Sequence, residues 1–237
     1  MIHIAAGLTG NAKTLIHDNI EATKKLIRYA EKVKIKRMIY LSTVAVYGYT
    51  GKELSEDSNP INPSVYGMTK HICESLVKES EIPEKLIIQL PKMIGPFVHM
   101  EDTSGSGFLT MTKKILQGET VVCYIPELQY NNYLHVSELE KFLEHMLLCE
   151  EWKRNEKILV GARERLTMME ILGIMRDESG SKSEIIPRCN GILPECFLIN
   201  ISKAETLGFT PCSAEDMLRR FIQEVRIERG HYGYKAE

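Results

Sequence analysis

The sequence predicts an α/β fold built on a parallel sheet, because strand patterns alternate with helical patterns through its first half. Short apolar runs at residues 1–6, 36–42 and 85–90 are typical of buried strands. Between them, apolar residues recur at three- and four-residue spacings over about 15–31 and over 64–78, which indicates two amphipathic helices. Parallel strands need such crossover helices between them.

The second half of the chain predicts a less regular series of elements. Residues 104–107 form an S-G-S-G loop, and the polar end at 229–237 is expected to be frayed. The remaining patterns predict, in chain order, a helix at 108–116, a strand at 121–125, a helix at 136–149, a strand at 157–160, and helices at about 167–177 and 214–225.

Composition is that of an ordinary globular protein. The 237 residues are 43% hydrophobic and 26% charged with a net charge of −2, whereas disordered chains have fewer apolar residues and more net charge. No apolar stretch approaches the roughly 20 residues of a membrane span, and no secretory signal pattern opens the sequence. The near-neutral charge gives no reason to expect nucleic acid as a partner.

Cysteine and histidine spacing predict a reducing compartment and no metal site. The six cysteines form no C-x-x-C pair, so we expect thiols rather than disulfides, and a cytoplasmic location. The seven histidines are scattered, with no pair at i and i+4, so no metal ligands are expected among them.

The strongest chemical signal is the pair Tyr66 and Lys70 in the second predicted helix. A Y-x-x-x-K spacing puts phenol and ammonium on one helix face, and a nearby cation lowers the pKa of a phenol. Such a tyrosine can exchange a proton with a hydroxyl or carbonyl group. By itself the spacing is weak evidence, but Ser42 and Thr43 end one predicted strand and Pro91 ends the next. The carboxyl ends of parallel strands are where such sheets bind ligands.

In this order, the motifs resemble those of the extended short-chain dehydrogenases/reductases, the NAD-dependent epimerase/dehydratase family that acts largely on nucleotide sugars. The matching segments span most of residues 1–150 and include I-H-I-A-A, L-S-T-V-A-V-Y-G, Y-x-x-x-K, L-P-K-M-I-G-P and Y-L-H-V. The resemblance implies a doubly wound, Rossmann-like parallel sheet with a small C-terminal α/β substrate lobe. It also implies NAD or NADP as cofactor, a nucleotide sugar as substrate, and hydride transfer at a sugar carbon.

The resemblance assigns roles to individual residues. Tyr66 would be the catalytic acid/base, Lys70 would hold the nicotinamide ribose and lower the pKa of the tyrosine, and Thr43 would bond the reacting oxygen. Residues 44–45 are Val-Ala where dehydratases of the family carry Asp-Glu, which disfavours a 4,6-dehydratase, and Gln89 stands where many members have arginine. The residues expected to contact the cofactor are Ala5, Ala6, Asn19, Ser42, Tyr66, Lys70 and Pro91.

The resemblance begins at the fourth strand of the family's sheet, so we expect an N-terminally truncated fold. The glycine turn that binds the pyrophosphate and the acidic residue that holds the adenosine ribose then have no counterpart. A rival alignment makes residues 7–10 (G-L-T-G) the phosphate loop, but position 13 is lysine instead of a third glycine. We therefore expect this chain alone to bind NAD(P) weakly or not at all, with a dissociation constant no better than about millimolar.

Two alternatives to an active enzyme of this length stay open. One is a non-catalytic remnant or subunit that keeps the sugar lobe and has lost cofactor binding. The other is that the sequence starts at an internal methionine of a longer enzyme.

The resemblance also predicts the domain organisation and a partner. We expect a homodimer formed through the helices at 15–31 and 65–79. The expected domains interleave, with 1–96 and 133–160 as the truncated nucleotide-binding domain and 97–132 and 161–237 as the substrate lobe.

Overall fold

The computed structural model describes residues 1–48, 53–96, 107–150, 155–188 and 198–231. The chain divides into two compact units. The domain limits predicted from the resemblance, 1–96 with 133–160 and 97–132 with 161–237, remain a prediction. The first unit consists of Met1–Pro91, Glu144–Gly161 and Ile199–Phe209, and the second of Lys92–Leu143, Ala162–Leu198 and Thr210–Glu237.

Strands and helices alternate in the first half of the chain, as predicted. The strands are β1 (Ile2–His3), β2 (Arg37–Thr43), β3 (Glu84–Leu90), β4 (Lys92–Ile94), β5 (Val121–Cys123), β6 (Gln129–Tyr130), β7 (Tyr133–His135), β8 (Asn155–Leu159), β9 (Leu166–Thr167) and β10 (Ile185–Pro187). The helices are α1 (Ala12–Leu15), α2 (Ala22–Lys32), α3 (Val65–Glu79), α4 (Gly107–Gln117), α5 (Val136–Leu148), α6 (Met168–Ser179), α7 (Ser202–Thr206) and α8 (Ala214–His231). A π-helical segment, Ile16–Glu21, joins α1 to α2.

The first unit is built on a parallel sheet with the strand order β1-β2-β3-β8. Ile39 of β2 lies opposite Ile2 of β1 on one side and Leu86 of β3 on the other. The central residues of β2 and β3 are buried without interruption, which is typical of strands covered on both faces. The predicted α/β fold with a parallel sheet is confirmed.

Helices α2 and α3 pack on one face of this sheet. Ile27 and Ala30 of α2 share a buried cluster with Cys73 and Val77 of α3 and with Tyr40 of β2. The spacings of three and four residues within each helix explain why one stripe of each is apolar. Because side chains alternate along a strand, Ser42, two positions after Tyr40, points toward α3 as well.

The first strand and the first helix differ from their predicted limits. β1 has two residues instead of the predicted 1–6, since only β2 lies beside it among the described residues and Ile4 is 62% exposed. The first helix begins at Ala12 rather than near residue 15. The side chain of Asn11 starts it, because its Oδ1 accepts a hydrogen bond from the amide of Thr14 at 3.0 Å.

The second unit combines short two-stranded sheets with helices. β4 pairs with β7 and β5 with β10 in parallel, whereas β6 and β9 are antiparallel. Phe108 of α4 stacks on Tyr130 and Tyr133 with ring centroids 6.3 and 6.1 Å apart. Of the predicted loop and frayed tail, residues 104–106 and 232–237 lie outside the described part. Among the helices that the structure does describe, none is long and apolar enough to cross a membrane.

Candidate active site

Thr43 ends β2 at the carboxyl edge of the sheet and starts a tight turn. Its backbone is extended, and its Oγ1 accepts a hydrogen bond from the amide of Ala45 at 3.2 Å. The chain then makes a 3-10 turn to Tyr47 and reverses at Gly48, whose φ of +69° favours glycine. A Cβ at Gly48 would lie 2.0 Å from the carbonyl oxygen of Ile61, so backbone packs directly against this turn.

The N-terminus of α3 packs against the turn that follows Thr43. Ser64 caps the helix, its Oγ accepting a hydrogen bond from the amide of Gly67 at 3.2 Å. A Cβ at Gly67 would lie 2.2 Å from the carbonyl oxygen of Ala45, so this close approach requires glycine. Because Gly67 follows Tyr66 directly, the structure brings the first turn of the Tyr66 helix against the segment that Thr43 begins.

Tyr66 and Lys70 lie one turn apart on α3, as predicted, but their side chains have different surroundings. Tyr66 is half-buried, and burial raises the pKa of its phenol. This direction is opposite to the predicted lowering by Lys70. The reason is that the ammonium of Lys70 engages other groups: its Nζ donates to the carbonyl oxygen of Leu41 at 2.8 Å and lies 4.2 Å from the centre of the Tyr40 ring.

Lys70 is a buried amine whose proton is weakly held. The residue is 2% exposed, and burial lowers the pKa of its ammonium to about 8, against the opposing effects of Cys73 and Glu74. The ammonium of Lys70 is therefore a stronger acid than that of an exposed lysine.

A buried polar network lies beside Lys70, and the sequence reasoning missed its centre, Glu74. The Oε1 of Glu74 accepts hydrogen bonds from Ser42 Oγ at 2.5 Å and from Gln89 Nε2 at 2.9 Å. The hydroxyl of Tyr47 donates to Gln89 Oε1 at 2.7 Å. Ser42, a predicted cofactor contact, thus directs its hydroxyl to this carboxylate. The signal that could have found Glu74 is its place four residues after Lys70, on the same face of α3.

Asn19, another predicted cofactor contact, uses its side-chain amide within the protein. Its Oδ1 accepts from the backbone amide of Gly7 at 2.7 Å, and its Nδ2 donates to the carbonyl oxygen of Gly7 at 3.1 Å. The same Nδ2 donates to Thr69 Oγ1 at 2.9 Å. Asn19 therefore ties the turn after β1 to α3.

Ala5 and Ala6, the remaining predicted contacts near the N-terminus, line a cavity of about 370 Å³ beside β1. Its volume is within the range of about 300–1,000 Å³ that is usual for small-molecule sites. The other residues that line the cavity are Gly7, His17, Asp18, Ala22 and Lys25.

Pro91, the last of the predicted cofactor contacts, is buried directly after β3.

A parallel sheet of this order, with hydroxyl-bearing residues where a strand and the next crossover helix meet, defines a Rossmann-type α/β protein. The sequence model of the NAD dependent epimerase/dehydratase family matches residues 2–161. The chain belongs to that family, which confirms the resemblance seen in its motifs.

Curated and solved proteins with related sequence or fold agree with this assignment. The chain is 24% identical over 170 residues to an uncharacterized UDP-glucose epimerase, YtcB, of Bacillus subtilis (strain 168), a match that covers 70% of this chain and 52% of that protein. It thus spans about half the length of this curated relative.

Solved structures show the same fold at low sequence identity. UDP-glucuronic acid 4-epimerase from Bacillus cereus, in complex with UDP-glucuronic acid and NAD, superimposes with a TM-score of 0.75 at 23% identity, over 96% of this chain and 76% of that one. UDP-N-acetylglucosamine 4-epimerase from Methanobrevibacter ruminantium M1, in complex with UDP-N-acetylmuramic acid, gives a TM-score of 0.78 at 22% identity, with the same coverage of 96% and 76%.

Proposed function

We propose that this protein is a cytoplasmic NAD(P)-dependent oxidoreductase of the epimerase/reductase type that acts on a nucleotide sugar, with Tyr66 as its acid/base. The observation that carries the proposal is the contact of Gly67 with Ala45, which joins the start of the Tyr66 helix to the turn after Thr43. Both elements lie at the carboxyl edge of a parallel sheet, where such folds bind ligands. Family membership and the similarity to UDP-sugar epimerases support the substrate class.

In this proposal Thr43 and Tyr66 act on the same sugar oxygen. The Thr43 hydroxyl hydrogen-bonds the oxygen, and the Tyr66 phenol transfers its proton. Bound nicotinamide supplies the hydride chemistry. Oxidation of the sugar hydroxyl requires Tyr66 to accept the hydroxyl proton as a phenolate, and the same proton returns to the oxygen when the sugar is reduced again. Burial raises the pKa of Tyr66 and so opposes the phenolate. The ammonium of Lys70, which here donates to the carbonyl of Leu41, would favour the phenolate where it approaches Tyr66.

The residues near the N-terminus fit part of a dinucleotide. The cavity lined by Ala5 and Ala6 has room for a ring system, but the backbone beside it offers few groups to a pyrophosphate. The backbone amide of Gly7 already donates a hydrogen bond to the side chain of Asn19, and the amide of Thr14 at the start of α1 donates one to the side chain of Asn11. Free backbone amides at a helix start are what binds phosphate in such folds. These contacts support the expectation of weak binding.

A calorimetric titration with NAD and NADP tests the cofactor part of the proposal. We expect dissociation constants of about 1 mM or weaker for the chain alone. Micromolar binding would show that residues 7–10 serve as a phosphate loop and that the rival alignment is correct.

Turnover of UDP-glucose at about 10 mM NAD, followed by the appearance of the 4-epimer in proton NMR spectra, tests the catalytic part. Losing a positioned acid/base costs about 10²–10⁴-fold in rate, so we expect that loss for Tyr66→Phe. Tyr124→Phe, at an exposed position directly after β5, is the matched control and should keep the wild-type rate. Equal rates for the Tyr66 and Tyr124 variants would refute the role of Tyr66.

The alternative function is a non-catalytic subunit that binds the nucleotide sugar. It is favoured by the protein's own use of Asn19 and Lys70, both predicted cofactor contacts, in internal hydrogen bonds. It predicts saturation-transfer NMR signals from UDP-glucose without turnover at any NAD concentration. These signals should be unchanged in Tyr66→Phe.

We also propose that the protein is a homodimer through the helices predicted at 15–31 and 65–79, which correspond to the continuous helical segment from α1 to α2 and to α3. Val65, Met68 and Ile72 are exposed on α3 at spacings of three and four residues, so they form one apolar stripe. Ile16 and Tyr29 are exposed on the other helix. Contiguous exposed apolar residues of this kind mark interaction surfaces.

Sedimentation velocity tests the dimer with charged substitutions. Ile72→Lys should convert the dimer to a folded monomer, because it places a charge in the apolar stripe. Leu148→Lys, on the exposed end of α5, is the control and should sediment as wild type. A wild-type chain that is monomeric at micromolar concentration would contradict the proposal.

A further inference from the structure

The carboxylate of Glu74 is buried and yet receives hydrogen bonds only from neutral groups among the described residues. Glu74 is 5% exposed, and its Oε1 takes the hydrogen bonds of Ser42 and Gln89 at 2.5 and 2.9 Å. On its own helix His71 lies farther away, with 3.8 Å between Nδ1 and Oε2, and its side chain is half-exposed. A buried carboxylate without a cation is costly. A positive charge near Glu74 would offset this cost.

Lys70 is the buried cation that can provide it. The two residues are four apart on α3 and share its buried face. Glu74 acts on Lys70 in the direction that keeps the ammonium protonated, opposite to the effect of burial. Among the described residues, the other titratable groups beside Lys70 are His3 of β1, Tyr40 of β2 and Cys73 of its own helix.

The same carboxylate fixes the backbone on both sides of the candidate site. Glu74 accepts a hydrogen bond from Ser42, which lies between Leu41 and Thr43 in β2. The carbonyl oxygen of Leu41 in turn accepts a hydrogen bond from Lys70. Glu74 also accepts a hydrogen bond from Gln89. The side chain of Gln89 accepts a second hydrogen bond from the hydroxyl of Tyr47, at the far end of the turn that Thr43 begins. Displacing Glu74 would therefore loosen both ends of this turn.

We propose that Glu74 is a positioning residue for the candidate site: it supplies the counter-charge that keeps Lys70 protonated and it holds the strand end that presents Thr43. The importance of this role for turnover rests on the proposed function. The electrostatic coupling of Glu74 to Lys70 is independent of turnover and can be measured without it.

The test is an NMR titration of the Lys70 side chain in protein labelled with ¹³C-lysine, with the resonance assigned by its loss in Lys70→Arg. Glu74→Gln keeps an oxygen that can accept from Ser42 and removes the charge. We expect the Lys70 midpoint to fall by about one pH unit, a tenfold loss of proton affinity. Glu79→Gln, exposed at the end of the same helix, should leave the midpoint unchanged.

An unchanged Lys70 midpoint in folded Glu74→Gln would overturn the proposal, because a purely structural role would not move this titration. If Glu74→Gln does not fold, Glu74→Asp decides the question, since it keeps the charge and weakens the hydrogen bonds. A midpoint near that of wild type is then expected, and a fall of a full unit would overturn the proposal. A shifted midpoint together with equal turnover of wild type and Tyr66→Phe would leave the coupling intact and refute only the proposed function.

Discussion

Alanine at Gly67 probes the contact on which the candidate site depends. A Cβ at this position would lie 2.2 Å from the carbonyl oxygen of Ala45 and 3.1 Å from the Cβ of Pro63. Ordinary contact begins near 3.4 Å, so the start of α3 must move by about 1 Å to accept the methyl group. The neighbouring atom is backbone, which cannot rotate away as a side chain can.

The expected loss of stability follows from two opposing effects. Overpacking costs up to about 3 kcal/mol, and replacing glycine by alanine inside a helix returns about 1 kcal/mol. We therefore expect Gly67→Ala to lower the free energy of unfolding by about 2 kcal/mol and Tm by about 4–8 °C. A displacement of about 1 Å in the Tyr66 helix should also lower turnover by about 10²-fold.

Gly173→Ala is the matched control for this experiment. Gly173 lies inside α6, and a Cβ there would meet nothing within 4 Å. This substitution should stabilise the protein by up to about 1 kcal/mol through helix propensity alone. Urea denaturation followed by circular dichroism, together with scanning calorimetry, measures both variants. If Gly67→Ala is as stable as Gly173→Ala, the close approach of α3 to the Thr43 turn is wrong.

Two further predictions concern buried polar groups in each unit. Burial alone would raise the pKa of Glu138, but hydrogen bonds from Lys141 and the amide of Cys212 lower it to about 2 from its ordinary 4.5. The interactions of the carboxylate therefore stabilise the fold by about 1–3 kcal/mol above pH 4.5, and this contribution is lost as pH falls toward 2. In Glu138→Gln the free energy of unfolding should no longer include the loss that wild type shows as pH falls from 4.5 toward 2. The same pH dependence in both proteins would contradict this prediction. Asn19→Ala leaves the amide of Gly7 unpaired, so we expect about 1–3 kcal/mol of destabilisation and faster hydrogen exchange at Gly7; unchanged exchange would contradict the hydrogen bond from Gly7 to Asn19.

Sequence patterns predicted the sheet well because its strands are buried on both faces. β2 and β3 read as continuous apolar runs, and such runs have few alternatives to a central parallel strand. β1 was overpredicted, since the run at 1–6 is as apolar as the others but only β2 pairs with it among the described residues. β1 separates from β2 after the pair of His3 with Tyr40, although β2 continues to Thr43, and the apolar pattern of residues 1–6 does not mark that point.

The motif order indicated which elements meet at the candidate site, but not the hydrogen bonds within it. The structure brings together the elements that carry Thr43 and Tyr66. The cofactor contacts of Asn19 and Ser42 stay predictions, and in the structure their side chains bond Gly7 and Glu74. A short polar side chain at a strand end or helix start bonds whichever partner is nearest, and spacing alone does not identify that partner.

Lys70 illustrates the same limit and its consequence for chemistry. The Y-x-x-x-K spacing defines a helix face, but it does not define where a flexible four-carbon side chain places its charge. Here the ammonium donates to the carbonyl of Leu41 and lies over the ring of Tyr40. A ligand that recruits Lys70 must offer acceptors at least as favourable as these two groups. Under the proposed function, an ammonium drawn toward the phenol would lower the pKa of Tyr66, so we expect activation of the phenol to be coupled to the binding of such a ligand.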